Sequence, residues 1–226
     1  MSALISVALA PALIAAIYLY MRDKYEKEPW HLLGFGVLYG GLVTVPIVHT
    51  ENFVTRFIPN TAGVLGEAAF LAFAVAALVE EFYKYAVLFF LVWRNRNFNE
   101  PFDGIVYAAF ISLGFAGTEN VLYVLNPELG GMETALSRAL FAVPGHALFG
   151  IAMGYYFAMA RFEPRRKFYF LSLALLMPFL LHGTYNFILL SQMPYLMVVF
   201  AAYVVWLWIS GFRKMRAHIK ASPFAP

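Results

Sequence analysis

Seven long apolar stretches alternate with short polar joints along the chain. Each stretch runs for about 20 residues or more, the length at which an α-helix spans the hydrocarbon core of a bilayer. Prolines stand in or beside most joints, where their missing N–H group favours the end of a helix. The pattern predicts an all-α, polytopic transmembrane helix bundle with spans at about residues 3–21, 31–49, 64–93, 103–125, 138–160, 167–190 and 194–212.

The composition also indicates a membrane protein. The 226 residues are 62% apolar and 13% charged, whereas a soluble domain is closer to half apolar and carries about a quarter charged residues. One bundle uses the whole length, so we expect a single transmembrane domain over residues 1–226. The chain has no cysteine, which excludes disulfides and thiolate metal ligands. Its net charge of +3 gives no indication of a nucleic-acid partner.

The basic residues fall mostly in alternate joints. Three, two and four of the sixteen lysines and arginines lie after the first, third and fifth spans, and four lie at the C-terminus. Lys84 lies inside a span, and the opposite joints hold only Arg56 and Arg138. Cytoplasmic joints of membrane proteins are enriched in lysine and arginine. The distribution therefore predicts an N-terminus outside the cell and a C-terminus in the cytoplasm.

The third span contains three ionisable residues in the middle of an apolar run, namely Glu80, Glu81 and Lys84. Charged groups at that depth cost a few kcal/mol each and tend to be functional. Lys84 lies about one helical turn from both acids and can pair with them. Successive residues on a helix are about 100° apart, so we expect only one of the two glutamates to face the protein interior. An ion pair that only fixes helix packing is the alternative.

Polar residues in the next three spans lie at a similar depth. Glu119 lies about 9 Å from the predicted outer end of its span, and His146 and His182 lie about 12 Å from theirs, at a rise of about 1.5 Å per residue. The third-span glutamates lie roughly 24 Å deep on the same measure, and less deep if that span begins after residue 64. Asn186 shares a helix face with His182. We therefore expect one site, shared by four helices, in the outer half of the bilayer.

Two kinds of hydrolytic chemistry use these residue types. Two imidazoles and one carboxylate form a typical catalytic zinc site with an open position, and a second carboxylate then serves as general base. Glu119, His146 and His182 are the predicted zinc ligands, with Glu81 or Glu80 as the base. Alternatively, a buried glutamate activates water without a metal, and a histidine and Asn186 stabilise the oxyanion. Lys84 favours the charged form of a neighbouring carboxylate in either case.

Two functions outside proteolysis use similar residues. A small ion- or proton-coupled transporter could use the buried acids, lysine and histidines as a relay. Transporters of this kind tend to contain inverted repeats and a site at the bilayer midplane, and the sequence shows no obvious repeat. A haem-binding subunit with His146 and His182 as axial ligands would leave the three buried glutamates without a role.

Four motifs, in this order along the chain, resemble those of the PrsW family of intramembrane proteases: Glu80-Glu81-x-x-Lys84, Phe115-x-x-x-Glu119, His146 and His182-x-x-x-Asn186. The stretch Asp23-Lys-Tyr-Glu-Lys-Glu-Pro29 is similar to that family as well. The wider clan of CAAX-processing and bacteriocin-processing proteases uses Glu-Glu-x-x-x-Arg and Phe-x-x-x-His. This chain differs from the clan at Lys84, which is one residue closer, and at Glu119, which replaces a histidine.

The resemblance implies a site-1 protease in the plasma membrane of a prokaryote. Such a protease cuts a single-span anti-sigma factor on its extracytoplasmic side. Glu80, Glu81, Lys84 and Asn186 are then the expected catalytic residues, within a core of about residues 64–190. Members of the clan have been interpreted both as metal-dependent and as glutamate-only enzymes, and zinc is the cofactor we expect. The partners that the resemblance implies are a single-span membrane-protein substrate and membrane lipid.

Overall fold

The computed structural model describes residues 2–59, 61 and 63–225, and these residues form helices without any β-strand. Seven helical segments in this part of the chain are long and apolar enough to cross a membrane. The predicted all-α bundle of seven spans is therefore confirmed. The segments are Ala3–Arg22, Trp30–Phe57, Gly63–Val92, Pro101–Val124, Met132–Phe162, Pro164–Leu190 and Pro194–Lys220.

Ten α-helices make up these seven spans, because three spans are interrupted. In chain order they are α1 Ser2–Arg22, α2 Trp30–Leu42, α3 Thr44–Val54, α4 Gly63–Ala69, α5 Leu78–Val92, α6 Pro101–Val124, α7 Met132–Leu140, α8 Ala142–Phe162, α9 Lys167–Leu190 and α10 Pro194–Lys220. Short 3-10 turns lie at Thr55–Phe57 and Pro164–Arg166, and a π-helix fills Phe70–Ala77.

The interruptions have local causes and consequences. The second span breaks at Val43, between α2 and α3. The N–H of Ile47 donates to the carbonyl of Val43, so helical bonding continues after the break. Pro46 lies in this region and has no N–H to donate, which weakens the helix there. The third span changes from α to π geometry and back before Leu78. Such π segments frequently occur at functional sites, because they shift the faces of the residues that follow.

Helix α6 lies at the centre of the bundle. In the most apolar 18 residues of its span, 78% of the residues are buried. The corresponding share is 17% in the first and last spans. Its Gly104 faces Gly154 of α8, and a Cβ on either glycine would collide with the backbone of the other helix. Small residues permit this close packing of helix backbones. Gly150, one turn earlier on α8, also lies against α6.

Helix α2 approaches α6 in the same manner. Gly36 and Gly40 both face Ile111 of α6, and a Cβ at Gly40 would meet the Ile111 backbone. The two Gly-xxx-Gly spacings of the sequence, Gly36/Gly40 in α2 and Gly150/Gly154 in α8, are therefore occupied by contacts within the chain.

The joints after the first, third and fifth spans meet the C-terminal segment at one end of the bundle. Arg161, at the end of α8, donates to the carbonyl of Trp93 at 3.3 Å. His218 of α10 donates from Nδ1 to the carbonyl of Pro101 at 2.9 Å. The Tyr107 hydroxyl of α6 donates to Glu28 in the first joint. The basic joints thus share one end, as alternating spans require.

Candidate active site

The first two turns of α5 supply a buried ion cluster. The Lys84 ammonium lies 2.6 Å from Glu81 Oε1 and 3.2 Å from Glu80 Oε2. Helical spacing produces both pairs, because the lysine follows the acids by three and four residues. The Phe115 ring of α6 lies under the same ammonium, at 4.4 Å from Nζ to the ring centroid. All three charged side chains are therefore removed from lipid and paired.

The expectation that only one glutamate faces inward was wrong. The side chain of Glu81 is fully buried, and that of Glu80 is 4% exposed. Helix α5 packs against α2, α3, α6 and α9, so interior surface surrounds much of this turn. Each glutamate side chain is long enough to lean toward Lys84, and the two carboxylates converge although their Cα–Cβ bonds diverge.

Helix α9 contributes the first imidazole. His182 Nδ1 lies 2.9 Å from Glu81 Oε1, and its Nε2 lies 3.0 Å from the Asn186 amide nitrogen. The Phe149 ring stacks on the imidazole with a centroid distance of 4.8 Å. Carboxylate oxygens accept only, so Nδ1 carries the hydrogen in this arrangement and Nε2 accepts from Asn186. Both ring nitrogens and one ring face are thus held in place.

Helix α8 contributes the second imidazole. His146 Nδ1 lies 3.4 Å from Lys84 Nζ, and its Nε2 lies 3.2 Å from Glu119 Oε2. The lysine donates to Nδ1, so Nε2 carries the hydrogen and donates to Glu119. The rings of His146 and His182 are perpendicular, with centroids 5.2 Å apart. Each imidazole therefore presents Nδ1 to the charged residues of α5 and Nε2 to a partner on its other side.

Arg138 of α7 completes the outer side of the site, and the sequence analysis gave it no role there. Its Nη2 donates to Glu119 Oε2 at 2.5 Å, and its Nε donates to Asn120 Oδ1 at 2.8 Å. The Asn120 amide in turn donates to the carbonyl of Ala8 in α1 at 2.7 Å. The sequence offers one signal for this role, because Arg138 is an isolated arginine at the predicted start of the fifth span. Its position there is equally typical of a residue in a joint.

The π-helix positions the α5 acids against α9. Its Phe73 lies directly against Gly183, where a Cβ would collide with the aromatic ring. Gly183 is the neighbour of His182, so this contact brings the third span close to the first imidazole. The Phe73 ring also meets Phe179 and Phe187 at 5.8 and 6.4 Å between centroids.

Four of these residues form a group that could hold a metal ion. Glu80, Glu81, His146 and His182 each offer one donor atom, and all four atoms lie within 4.8 Å of one another. Glu80 Oε2 is 3.9 Å from Nδ1 of both imidazoles. Glu81 Oε2 is buried and has no hydrogen-bond partner among the described residues. Imidazole and carboxylate donors with one free carboxylate oxygen suit a catalytic zinc site.

Glu119 lies beside this group and is not one of its members. Its contacts are the Nε2 side of His146 and the guanidinium of Arg138, which are 3.2 and 2.5 Å away. The position typically orients an imidazole ligand, since histidines that bind metals usually donate their other N–H to a carboxylate or carbonyl. Asn186 lies in the corresponding position beside His182.

Comparisons with known proteins agree with these motifs. Residues 28–210 match the model of a family described as PrsW family intramembrane metalloprotease. The chain is 40% identical to Protease PrsW of Geobacillus kaustophilus over 218 residues, covering 96% of this chain and 92% of that protein. It is 37% identical to Protease PrsW of Bacillus subtilis over 219 residues, covering 96% and 95% of the two chains. No solved structure matches the chain significantly.

These matches cover nearly the whole chain and include every residue of the buried cluster. They decide for a peptidase over the transporter and haem-subunit alternatives. The description of the matched family also suggests a metal, and the group formed by Glu80, Glu81, His146 and His182 could bind one. With seven helices able to span a bilayer, the protein is a multi-pass protein of the cell membrane, and the chain belongs to the PrsW family of intramembrane metalloproteases.

Proposed function

We propose that the protein is an endopeptidase that hydrolyses a single-span membrane protein near its extracytoplasmic border, with water activated by Glu81. The carrying observation is the asymmetry of this carboxylate. Its Oε1 accepts from Lys84 at 2.6 Å, a contact that does not depend on His182, while its Oε2 is buried without a partner among the described residues. One oxygen is thus fixed and the other is free to accept a proton.

Glu81 would act first as base and then as acid. Its free oxygen takes one proton from water as the water oxygen attacks the scissile carbonyl carbon. The same proton then passes to the leaving amine when the C–N bond breaks, which restores the carboxylate. Lys84 keeps Glu81 ionised before the reaction, because an adjacent ammonium favours the charged form of a carboxylate.

His146, His182 and Glu80 are the proposed zinc ligands. A zinc ion in this position would lower the pKa of a bound water to about 7 and polarise the scissile carbonyl. Donor atoms of tetrahedral zinc lie roughly 3.4 Å apart for bonds of about 2.0–2.1 Å. The distance of 3.9 Å from Glu80 Oε2 to each Nδ1 approaches that spacing. All donor atoms of the group lie within 4.8 Å of one another, so one ion could contact the three proposed ligands after side-chain adjustment.

This assignment gives Glu119 a different role from the zinc ligand predicted from the sequence. Glu119 would accept from Nε2 of His146 and so direct Nδ1 toward the metal position. Asn186 would do the same for His182 by presenting its amide oxygen, since the oxygen and nitrogen of an asparagine amide can exchange places by rotation. Arg138 would hold Glu119 ionised through their 2.5 Å contact.

The proposed side of cleavage follows from the charge distribution. The basic joints share the end of the bundle that contains Trp93 and Pro101, and cytoplasmic joints are the basic ones. The N-terminus would then be outside the cell, and a substrate would be cut in its outer portion. An anti-sigma factor with one span is the substrate class that the family resemblance implies.

Reconstitution tests this function. A tagged single-span anti-sigma factor is placed in liposomes with the purified protein, and the fragments are mapped by mass spectrometry. We expect one cut within a few residues of the extracytoplasmic border. Glu81→Gln should slow the cleavage by about 1000-fold, because it removes the proton acceptor and leaves the side-chain volume unchanged. Cleavage at the cytoplasmic border, or an active Glu81→Gln variant, would contradict the proposal.

A further inference from the structure

A second group of buried acids lies at the basic end of the bundle. Asp23, Glu100 and Asp103 each contribute one carboxylate oxygen to a set in which all atoms lie within 4.8 Å of one another. Their exposed fractions are 0%, 1% and 0%. Asp23 follows α1, while Glu100 and Asp103 belong to the start of α6. We call these three residues the oxygen cluster.

The cluster joins three distant parts of the chain. Asp23 Oδ2 accepts from the N–H of Glu28 in the first joint at 3.1 Å. Asp103 Oδ2 accepts from the N–H of Glu100 at 2.7 Å. The hydroxyl of Ser222, beyond α10, donates to Glu100 Oε2. Any group that binds the cluster therefore fastens the first joint, the start of α6 and the C-terminal segment together.

Two carboxylate oxygens in the cluster remain unsatisfied. Asp23 Oδ1 and Asp103 Oδ1 are buried and have no hydrogen-bond partner among the described residues. No lysine or arginine in the described part of the chain forms an ion pair with any member of the cluster. Lys27 is close, but its ammonium binds the backbone carbonyl of Asp23. Isolated buried carboxylates are strongly unfavourable without a positive partner.

Helix capping accounts for only part of this arrangement. Glu100 and Asp103 form a reciprocal capping box at the start of α6, which explains why each accepts a backbone N–H. Capping does not require Asp23, which approaches from a different helix and adds a further acid. Glu28 adds a fourth carboxyl group, which accepts from Tyr107 and can share a hydrogen bond with the Asp103 carboxyl when one of the two is protonated. Four carboxyl groups therefore meet at a helix end that supplies only about half a positive charge.

We propose that the oxygen cluster binds one hard divalent cation, Mg²⁺ or Ca²⁺, with Asp23, Glu100 and Asp103 as ligands. Both cations prefer carboxylate and carbonyl oxygens. The three ligands contain neither imidazole nor thiolate, so the donor set does not suit zinc. The cation would neutralise the two unsatisfied oxygens and hold the joints in place. This site is separate from the proposed catalytic cluster, by which we mean Glu80, Glu81, Lys84, His146 and His182.

A proton is the competing occupant. Burial raises the pKa of Asp23 to about 6 and that of Glu28 to about 7. Without a cation, neighbouring carboxyl groups could share protons instead. Protons and divalent cations give different results in a binding measurement, which makes the two occupants separable.

Equilibrium dialysis and thermal unfolding of the full-length protein test the proposal. The protein is purified in detergent, treated with chelator and titrated with Ca²⁺ or Mg²⁺ alone. We expect about one bound equivalent and a melting temperature that rises by about 4 °C at saturation. Asp23→Asn and Asp103→Asn should each abolish both effects, and Asn retains an oxygen that can cap α6. Glu26→Gln, an exposed acid in the same joint, is the matched control and should retain both.

A third variant separates the two clusters. Glu81→Gln changes the catalytic cluster alone, so it should retain the bound equivalent, and loss of Ca²⁺ or Mg²⁺ binding in that variant would overturn the proposal. Retention of binding in both asparagine variants would overturn it as well. If those variants fail to fold, the wild-type stoichiometry decides, because a wild-type protein that binds neither cation contradicts the inference. Stabilisation only by lowering the pH would identify the proton as the occupant.

Discussion

Two groups of buried acids lie in this bundle, and their neighbours differ. The catalytic cluster around Glu81 contains its own ammonium, from Lys84, and two imidazoles. The oxygen cluster of Asp23, Glu100 and Asp103 contains neither lysine nor histidine. Nitrogen donors and one free carboxylate oxygen suit a site that performs chemistry, whereas oxygens alone suit a site that holds a cation. The two proposed uses therefore rest on the surroundings of the buried acids more than on their number.

The two clusters also differ in their position on the helices. The residues of the proposed catalytic cluster lie within α5, α8 and α9, where their side chains are buried. The oxygen cluster lies at the end of α1 and the start of α6, where the chain enters and leaves its spans. A site within helices can keep reacting groups at defined distances, and a site at helix ends can fasten segments that would otherwise separate.

The largest expected effect separates a buried imidazole of the proposed site from a buried imidazole at the other end of the bundle. His182→Ala removes a proposed zinc ligand and the partner of Glu81, and should reduce cleavage to background. His218→Ala is the matched control at the other end, where the imidazole donates to Pro101 and stacks on Tyr155 at 4.3 Å. It should leave cleavage near the wild-type rate and lower only the melting temperature. Rates are measured with the reconstituted substrate.

Equal loss of cleavage in both histidine variants would break the distinction between the clusters. It would mean that the basic end of the bundle contributes to catalysis, or that either change unfolds the protein. Circular dichroism of each variant excludes the second explanation.

The next effect concerns stability. Lys84→Met removes the ammonium and leaves Glu80 and Glu81 buried side by side. Breaking a buried ion pair in this way typically costs about 3–5 kcal/mol, so we expect a large drop in the free energy of unfolding, measured by denaturant titration in micelles. Lys24→Met, at an exposed lysine over the Tyr25 ring, should change it by less than about 1 kcal/mol. A stable Lys84→Met variant would show that the acids do not depend on the lysine.

The smallest effect should come from the outer partners of the imidazoles. Glu119→Gln and Asn186→Ala should each weaken metal affinity by about 10–100-fold, the typical result of losing a group that orients a ligand. Competition with a zinc-sensitive dye measures the affinity. A complete loss of metal in Glu119→Gln would indicate that Glu119 is itself a ligand, as the sequence analysis predicted.

The spans could be predicted from the sequence because bilayer thickness fixes the length of an apolar helix. The same holds for the partnership of Lys84 with the acids, which follows from helical spacing within one segment. The burial of both glutamates could not be predicted from the sequence, because it depends on the surfaces of four neighbouring helices. The π-helix before Leu78 also leaves no strong signal in an apolar run, yet it determines which face of α5 meets His182.

Contacts between distant segments were the least predictable. Arg138 reaches Glu119 from a separate short helix, and no spacing rule relates residues on different helices. The oxygen cluster depends on the same kind of contact, since Asp23 and Asp103 are 80 positions apart in the sequence. The motif from Asp23 to Pro29 was visible, but its partners in α6 were not.

Metal content and activity, measured on the same samples, test the central claim most directly. Wild-type and Glu81→Gln proteins are analysed for zinc by elemental analysis and assayed before and after chelation. We predict about one zinc in the catalytic cluster of each, cleavage by the wild type only, and loss of that cleavage when the zinc is removed. A metal-free wild-type protein that cleaves at full rate, or a Glu81→Gln variant that does so, would contradict the account.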